Sequence, residues 1–294
     1  MGNHEVSVKV IADSIRPDCY LEWQNKCTPG IYQDLPGRII TIVMRYARWI
    51  HAEFMTHRDR ARNAASSRAI SVSKGLMNCT FRPIDIPSEQ RGMQGGDKLS
   101  EDAKNIVYAD IDEMCEFTLS NLTKWIDLGV HKSIINRYLE PFSHIEVVCT
   151  ATRWDHFLGL RHHPDAEPHF QQLAAMVRDS LNKSVPRATF YHRPFITVED
   201  IGDGNALMVG DVNGVDSLLT HDETFKVSAA RAAGISYRRP DLTLEKELKI
   251  CEDLITKRHS SPLEHPATCS GVDRNYRSGP MVGWKTLRTM LQQD

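Results

Sequence analysis

The stretch Thr56-His57-Arg58-Asp59-Arg60-Ala61-Arg62-Asn63-Ala64-Ala65-Ser66-Ser67-Arg68 packs four arginines, a histidine, an asparagine and two serines into thirteen residues. Guanidinium forks bind phosphate bidentately, and hydroxyls with backbone amides beside them complete an anion cradle. A solvated basic turn would have the same composition, so the segment alone leaves both readings open. The chain has neither a Gly-rich P-loop nor a G-x-G-x-x-G fingerprint, which excludes a standard nucleotide fold.

On either side of this stretch the periodicity changes repeatedly. Residues 6–15 alternate apolar and polar side chains before Pro17, and residues 38–44 are β-branched and apolar; both predict strands. Ile50 and Phe54, four apart, predict a short helix over 49–55. Residues 83–98, rich in Pro and Gly around Gly92-Met93-Gln94-Gly95-Gly96, predict a loop. Ser100 with Glu101 and Asp102 then opens a long helix that ends near Gly129. A short helix is expected over 131–140, stopping at Pro141, and a strand over 145–150. Further helices are expected over 153–161, 166–181 and 242–258, with a short one after Trp284. Residues 184–224, broken by Pro186, Pro194, Gly202, Gly204, Gly210 and Gly214, read as a connector or a hairpin-bearing insertion. This irregular alternation predicts an α/β (α+β) architecture, taken as one domain over 1–294.

The charges nearly cancel: 36 Lys+Arg stand against 38 Asp+Glu, a net charge of −2 over 294 residues. That balance argues against general binding to nucleic acid or a membrane surface, so an anion site must be a local cluster. The longest strongly apolar run, residues 39–44, is far short of the roughly 20 residues of a membrane span. Seven cysteines, Cys19, Cys27, Cys79, Cys115, Cys149, Cys251 and Cys269, include no C-x-x-C pair. They point to reduced thiols rather than a disulfide framework or a closed zinc site, and a cytoplasmic location is expected.

Two more clusters carry polar chemistry. His259-Ser260-Ser261-Pro262-Leu263-Glu264-His265 offers two histidines and a glutamate, but that His spacing across a proline matches no common zinc pattern, and no metal is expected. An ordinary loop after a helix is the alternative. Arg137 precedes Pro141 on a predicted helix, and Thr150, Thr152, His156 and Arg161 follow along a strand–helix unit.

Taken together, these segments resemble the flavin-dependent thymidylate synthase family, ThyX. His57, Arg58, Asn63, Ser66 and Arg68 match the family's Arg-His-Arg-x-x-Ser-x-Asn-Glu-x-Ser-x-Arg segment at the same spacing. His259, Pro262, Glu264 and His265 match its His-x-x-Pro-Phe-Glu-His segment, with Leu263 for Phe. Ala233-Gly234-Ile235-Ser236-Tyr237 is similar to its Ala-Arg-Val-Ser-Tyr. Gly129-Val130 through Arg137, Leu139 and Pro141 is similar to its Gly-Val-x-x-x-x-Ala-Arg-x-x-Leu-Pro helix. Thr150 through Phe157-Leu158-Gly159-Leu160-Arg161 resembles the family's strand and flavin-contacting helix. The order differs: here the His259 segment follows the Arg-rich one, as in circularly permuted members, and close termini make such a permutation harmless to a site. The Arg-rich segment also departs at Thr56, Ala61, Ala64 and Ala69, and His156 replaces a common Asn.

The resemblance implies a mixed sheet with flanking helices, assembled as a homotetramer with flavin sites between subunits. It implies methylation of carbon 5 of a uridine nucleotide, with methylenetetrahydrofolate as carbon donor and NADPH-reduced FAD as hydride source. In that reading Arg161 and His259 are catalytic. Ser66, Ser67, Arg68, Arg137 and Arg161 bind the nucleotide, and His57, Arg58, Asn63, His156, Ser236, His259 and Ser261 line the flavin. Permuted relatives with an altered Arg-rich segment include a UMP methylase of polyoxin biosynthesis. Ala61 and Ala64 are therefore expected to make room for a ribose 2′-hydroxyl, so that UMP and dUMP are both accepted. The alternatives are a dUMP-specific thymidylate synthase and a non-catalytic flavin or nucleotide binder.

Overall fold

The computed structural model describes residues 6–92, 95–210, 216–236 and 242–292. In chain order these form β1 (Ser7–Ile15), α1 (Pro17–Lys26), β2 (Arg38–Ala47), a 3-10 turn Arg48–Ile50, α2 (His51–Phe54), β3 (Ala61–Ala64), α3 (Val72–Met77), α4 (Glu101–Asp127), α5 (Lys132–Tyr138), β4 (His144–Ala151), α6 (Asp155–Arg161) and α7 (Pro168–Asn182). The second half forms β5 (Arg187–Ala188), β6 (Tyr191–His192), β7 (Val198–Gly202), β8 (Asn205–Met208), β9 (Ser217–Thr220), α8 (His221–Ala233), α9 (Leu244–Thr256), β10 (Ala267–Cys269), β11 (Arg277–Ser278), β12 (Met281–Val282), β13 (Trp284–Thr286) and α10 (Leu287–Leu291). Met93, Gln94, Gly214 and Tyr237, which figure in the expectations above, lie outside the described residues.

The architecture is mixed α/β. Five strands run in the order β3-β4-β2-β1-β5, antiparallel except where β1 meets β5 in parallel. Strand alternation gives this sheet two chemically different faces. On one face, Ile40, Ile42, Met44 and Tyr46 of β2 and Ile145, Val147, Cys149 and Ala151 of β4 pack on Phe170, Leu173, Ala174, Val177 and Leu181 of α7. On the other, Thr41 and Thr150 meet at 2.6 Å and continue to His192 Nε2 (2.7 Å) and His265 Nδ1 (2.8 Å), while His192 Nδ1 reaches Ser14 Oγ at 2.9 Å. This buried chain pairs both threonine hydroxyls, both nitrogens of His192 and Nδ1 of His265, and leaves His265 Nε2 buried without a partner among the described residues.

Most predicted elements form near their expected places. Ser100 caps α4 by accepting from Ala103 N, and Gly129 follows that helix at φ 78°. Three helices escape the sequence reading, among them the short α3, which Ser71 caps by accepting from Lys74 N. Pro17 reads as a strand stop, yet it occupies the first turn of α1, where a missing N–H costs nothing. The capping box of Thr220 and Glu223 opens α8 inside the last residues of the segment read as a connector or insertion. Within 184–224, β5 joins the main sheet, β6 pairs with β10, and β7, β8 and β9 form an antiparallel sheet.

Candidate active site

Two clefts lie at the two ends of β3, and the basic stretch passes through both. Upstream, His57 follows α2 and its backbone N–H caps Phe54 O at 3.2 Å. The imidazole is buried against the edge of Phe157, with ring centroids 5.2 Å apart. Burial first, then the charges of Arg60 and Arg161, pushes His57 down to about 4, so at neutral pH the ring is uncharged. A neutral imidazole has one acceptor nitrogen, and His57 Nε2 takes it up by accepting from Arg161 Nε at 3.0 Å.

Arg161 ends α6, where a cation faces the negative end of the helix. Its guanidinium lies over the Phe170 ring at 4.4 Å and within 3.4 Å of Glu53 Oε2. Held on three sides, it stands as an oriented positive charge at the mouth of a cleft of about 860 Å³. His57, Arg58, His156 and Arg161, matched to two separate segments of the sequence, all line this cleft.

The four arginines of the stretch separate by role. Arg58 fronts the cleft. Arg60 is buried, stacked 5.0 Å from Trp154 and 4.9 Å from Phe157, with Asp59 at 2.8 Å. Arg62 Nη1 donates to the carbonyls of Met55 (2.7 Å) and His57 (2.8 Å), closing the turn after α2. Arg68 is exposed and borders neither cleft.

Downstream of β3 a second cleft of about 580 Å³ is lined by Asn63, Ala64, Ser66, Arg258, His259 and Ser261, among others. Asn63 donates from Nδ2 to Ala232 O (2.8 Å) and accepts at Oδ1 from Ser261 Oγ (3.3 Å), tying the edge strand to α8 and to the segment after α9. Arg258 takes a left-handed φ of 54° that ends α9 and turns His259 into the cleft, where His259 N donates to Leu254 O at 2.8 Å. His265, from the same cluster, is instead fully buried in the Thr150 chain. Ser236 ends the 3-10 turn Gly234–Ser236 that follows α8.

Three expected nucleotide contacts stand apart from these clefts. Ser67 is buried, accepts from Arg48 Nη2 (2.8 Å) and donates to Glu140 Oε1 (2.5 Å), so its hydroxyl is structural. Arg137, exposed on α5, borders neither cleft, and neither does Arg68. Ala61 packs fully buried against Ile39, Ala267, Met281 and Trp284, so its small side chain answers to packing rather than to a sugar; only Ala64 borders a cleft.

Sequence reading missed the acidic members. Glu53 steadies Arg161. Asp34 accepts from Trp154 N (2.8 Å) and Tyr32 Oη (2.6 Å), and Asp155 beside it is raised by burial and by the Asp34 charge. No periodic or motif signal marks an isolated carboxylate of this kind.

None of the seven cysteines lines either cleft, and burial raises the thiols of Cys19, Cys79, Cys115, Cys149, Cys251 and Cys269. A raised thiol is a poor nucleophile. No helix among the described residues is long and apolar enough to cross a membrane.

No family model matches the chain, and no curated protein matches it. Solved structures similar to it include the UMP/dUMP methylase PolB from Streptomyces cacaoi bound with 5-Br UMP, at TM-score 0.47 and 16% identity over 59% of this chain and 87% of that one. The same methylase bound with 5-Br dUMP gives TM-score 0.40 and 16% identity over 59% and 88%. Thymidylate Synthase X (ThyX) from Helicobacter pylori with FAD and dUMP gives TM-score 0.41 and 12% identity over 60% and 93%.

Proposed function

We propose that this chain is a circularly permuted, ThyX-type methylase that adds a methyl group to carbon 5 of a uridine nucleotide, UMP before dUMP. One observation carries the reading. Residues matched to separate family segments converge in space: His57 and Arg58 with His156 and Arg161 in one cleft, Asn63 and Ser66 with His259 and Ser261 in the other.

The residues present suit an aromatic, anionic cofactor such as FAD. Arg58 and Arg153 bring cationic donors beside the neutral His57, and both clefts fall in the size range of small-molecule sites. His57, Arg58, Asn63, His156, Ser236, His259 and Ser261 would hold it. Reduced flavin, recharged by NADPH, supplies the hydride, and methylenetetrahydrofolate supplies the carbon. This chain's part is charge placement. The Arg161 guanidinium, beside the uracil ring, favours the ring's anionic form and so raises electron density at carbon 5. Neutral His57 accepts from Arg161 and keeps that charge aimed outward. With the thiols outside both clefts, activation by charge rather than by a cysteine nucleophile fits the residues present.

Arg68 and Arg137, which border neither cleft of one subunit, would reach the nucleotide phosphate in a homotetramer whose flavin sites lie between subunits. The exposed apolar side chains of α4, Ile106 (63%), Met114 (53%) and Phe117 (70%), support such assembly, because isolated chains seldom leave this much apolar surface on one helix.

Anaerobic incubation with FAD, NADPH, methylenetetrahydrofolate and either UMP or dUMP, with products weighed by mass spectrometry, tests the reading. Gain of one methyl on UMP is expected, with a smaller yield from dUMP. Product from dUMP alone would make the protein a dUMP-specific thymidylate synthase. Flavin binding without product from either nucleotide would overturn methylation and leave a non-catalytic binder, a reading that Thr56, Ala64 and Ala69 in place of the family's residues would then explain.

A further inference from the structure

A third cleft, of about 390 Å³, opens on the sheet face away from α7. Met44 and Tyr46 of β2 enter the α7 core, so Arg45 between them projects to the opposite face. Three cations, Arg45, Arg48 and Lys74, line this cleft against one carboxylate, Glu146.

The cations are not equally engaged. Arg48 is held by Glu140 at 2.9 Å and by Ser67. Arg45 sits directly across the β2–β4 ladder from Glu146, yet the two form no ion pair. Among the described residues its guanidinium donates a single hydrogen bond, to Asn78 Oδ1 at 2.5 Å, out of five donors. Burial lowers Arg45 from its ordinary value, and attraction to Glu146 offsets this only in part. Lys74, on α3, has no side-chain partner among the described residues. A half-buried guanidinium with spare donors, facing a free ammonium, is short of one anion. Ser73, Asn78 and His144 complete the polar lining, and the apolar part of the wall is Ala65, Ile70 and Met77, the last 71% exposed.

We infer that this cleft binds a phosphate monoester, with the phosphoryl group between the Arg45 fork and the Lys74 ammonium and the organic part against Ile70 and Met77. A guanidinium takes two phosphate oxygens in plane and an ammonium neutralises a third, a pairing matched to a dianion rather than to a single carboxylate. The site is distinct from the two clefts beside β3. Residues 65–70 form a wall between them: Ala65 and Ile70 turn into this cleft, while Ser66 and Ala69 turn into the one holding His259. The inference stands without the proposed methylase activity.

Titration calorimetry of the whole chain with phenyl phosphate, and separately with inorganic phosphate, tests it. Phenyl phosphate is expected to bind about threefold or more tighter than inorganic phosphate, since it buries its ring on Ile70 and Met77. Lys74→Met breaks no described contact, so the variant should fold, and it is expected to weaken phenyl phosphate by about fivefold or more. Arg45→Met should weaken it further, and a melting scan shows whether that variant is folded. Equal affinity for the two probes, or indifference to Lys74→Met, would each overturn the assignment.

Discussion

Arg161 is the side chain on which the proposed chemistry turns, and its surroundings explain why. The Phe170 face, His57 Nε2 and Glu53 fix the guanidinium without neutralising it through a bidentate carboxylate. Preorganised charge of this kind is worth about 10²–10³ in turnover when one donor is removed. Arg161→Ala is therefore expected to lower kcat by about that factor while leaving the melting temperature nearly unchanged, because the side chain lies at a cleft mouth. Arg161→Lys should recover little, since a point charge cannot keep both the ring stack and the His57 bond. Steady-state kinetics with the melting curve of each variant check this; wild-type turnover in Arg161→Ala would remove Arg161 from the mechanism. The residue scale is also where the sequence misleads. Thirteen residues with four arginines look like one cradle, yet Arg60 stacks inside the core and Arg62 caps carbonyls, leaving Arg58 to face the cleft.

Elements are held in register by a few buried polar contacts. Arg38 at the start of β2 pairs with Asp13 of β1 at 2.6 Å, both side chains almost fully buried, and Ser184 Oγ donates to the same carboxylate at 2.6 Å. Asp13→Ala would strand a buried guanidinium, a change that costs about 3–5 kcal/mol. Urea unfolding should show a loss of that order; a loss under about 1 kcal/mol would mean that Arg38 finds water or another partner. The long helix α4 depends on Ser100, whose hydroxyl accepts from Ala103 N, and Ser100→Ala should cost about 1 kcal/mol in the same assay. Helices with long periodic faces or explicit caps, such as α4 and α9, are legible from the chain. The strand β3 is not: its four residues, Ala-Arg-Asn-Ala, carry no β-branched side chain and become a strand because β4 offers an open edge.

At the scale of the whole molecule, desolvation holds four histidines in their neutral form, His57, His192 and His265 buried and His51 half-buried. Burial brings His51 and His57 down to about 4, and His192 and His265 to about 3. The unfolded chain takes up protons at these sites below about pH 6.5, whereas the folded chain waits until pH 3–4. Stability therefore falls as pH drops through that window and is fully retained above it. Denaturant midpoints at pH 7 and pH 4.5 should differ in that direction; a midpoint unchanged at pH 4.5 would mean that these rings protonate freely in the folded state. Assembly belongs to the same scale. Sedimentation velocity is expected to give a tetramer, and Met114→Asp with Phe117→Asp to dissociate it if the α4 face is buried between subunits; an intact tetramer would place the contact elsewhere.

Hydrophobic periodicity, caps and breakers are local, and they determined the α/β class and the positions of β1, β2, β4, α4, α7 and α9, while residue composition marked the three polar segments. Resemblance of those segments to a known family, rather than periodicity, is what singled out His57, Arg58, Asn63, Ser66, Arg68 and His259 as site residues. Tertiary structure alone decided which of those side chains share a cleft, for that depends on contacts such as Asn63 with Ser261 and His57 with Arg161 between distant segments. It alone withdrew Ser67, Ala61 and Arg60 into the interior, and it alone assembled the Arg45 and Lys74 cleft from a strand and a helix. Burial and electrostatic pairing are properties of three-dimensional neighbours, and no local pattern encodes them.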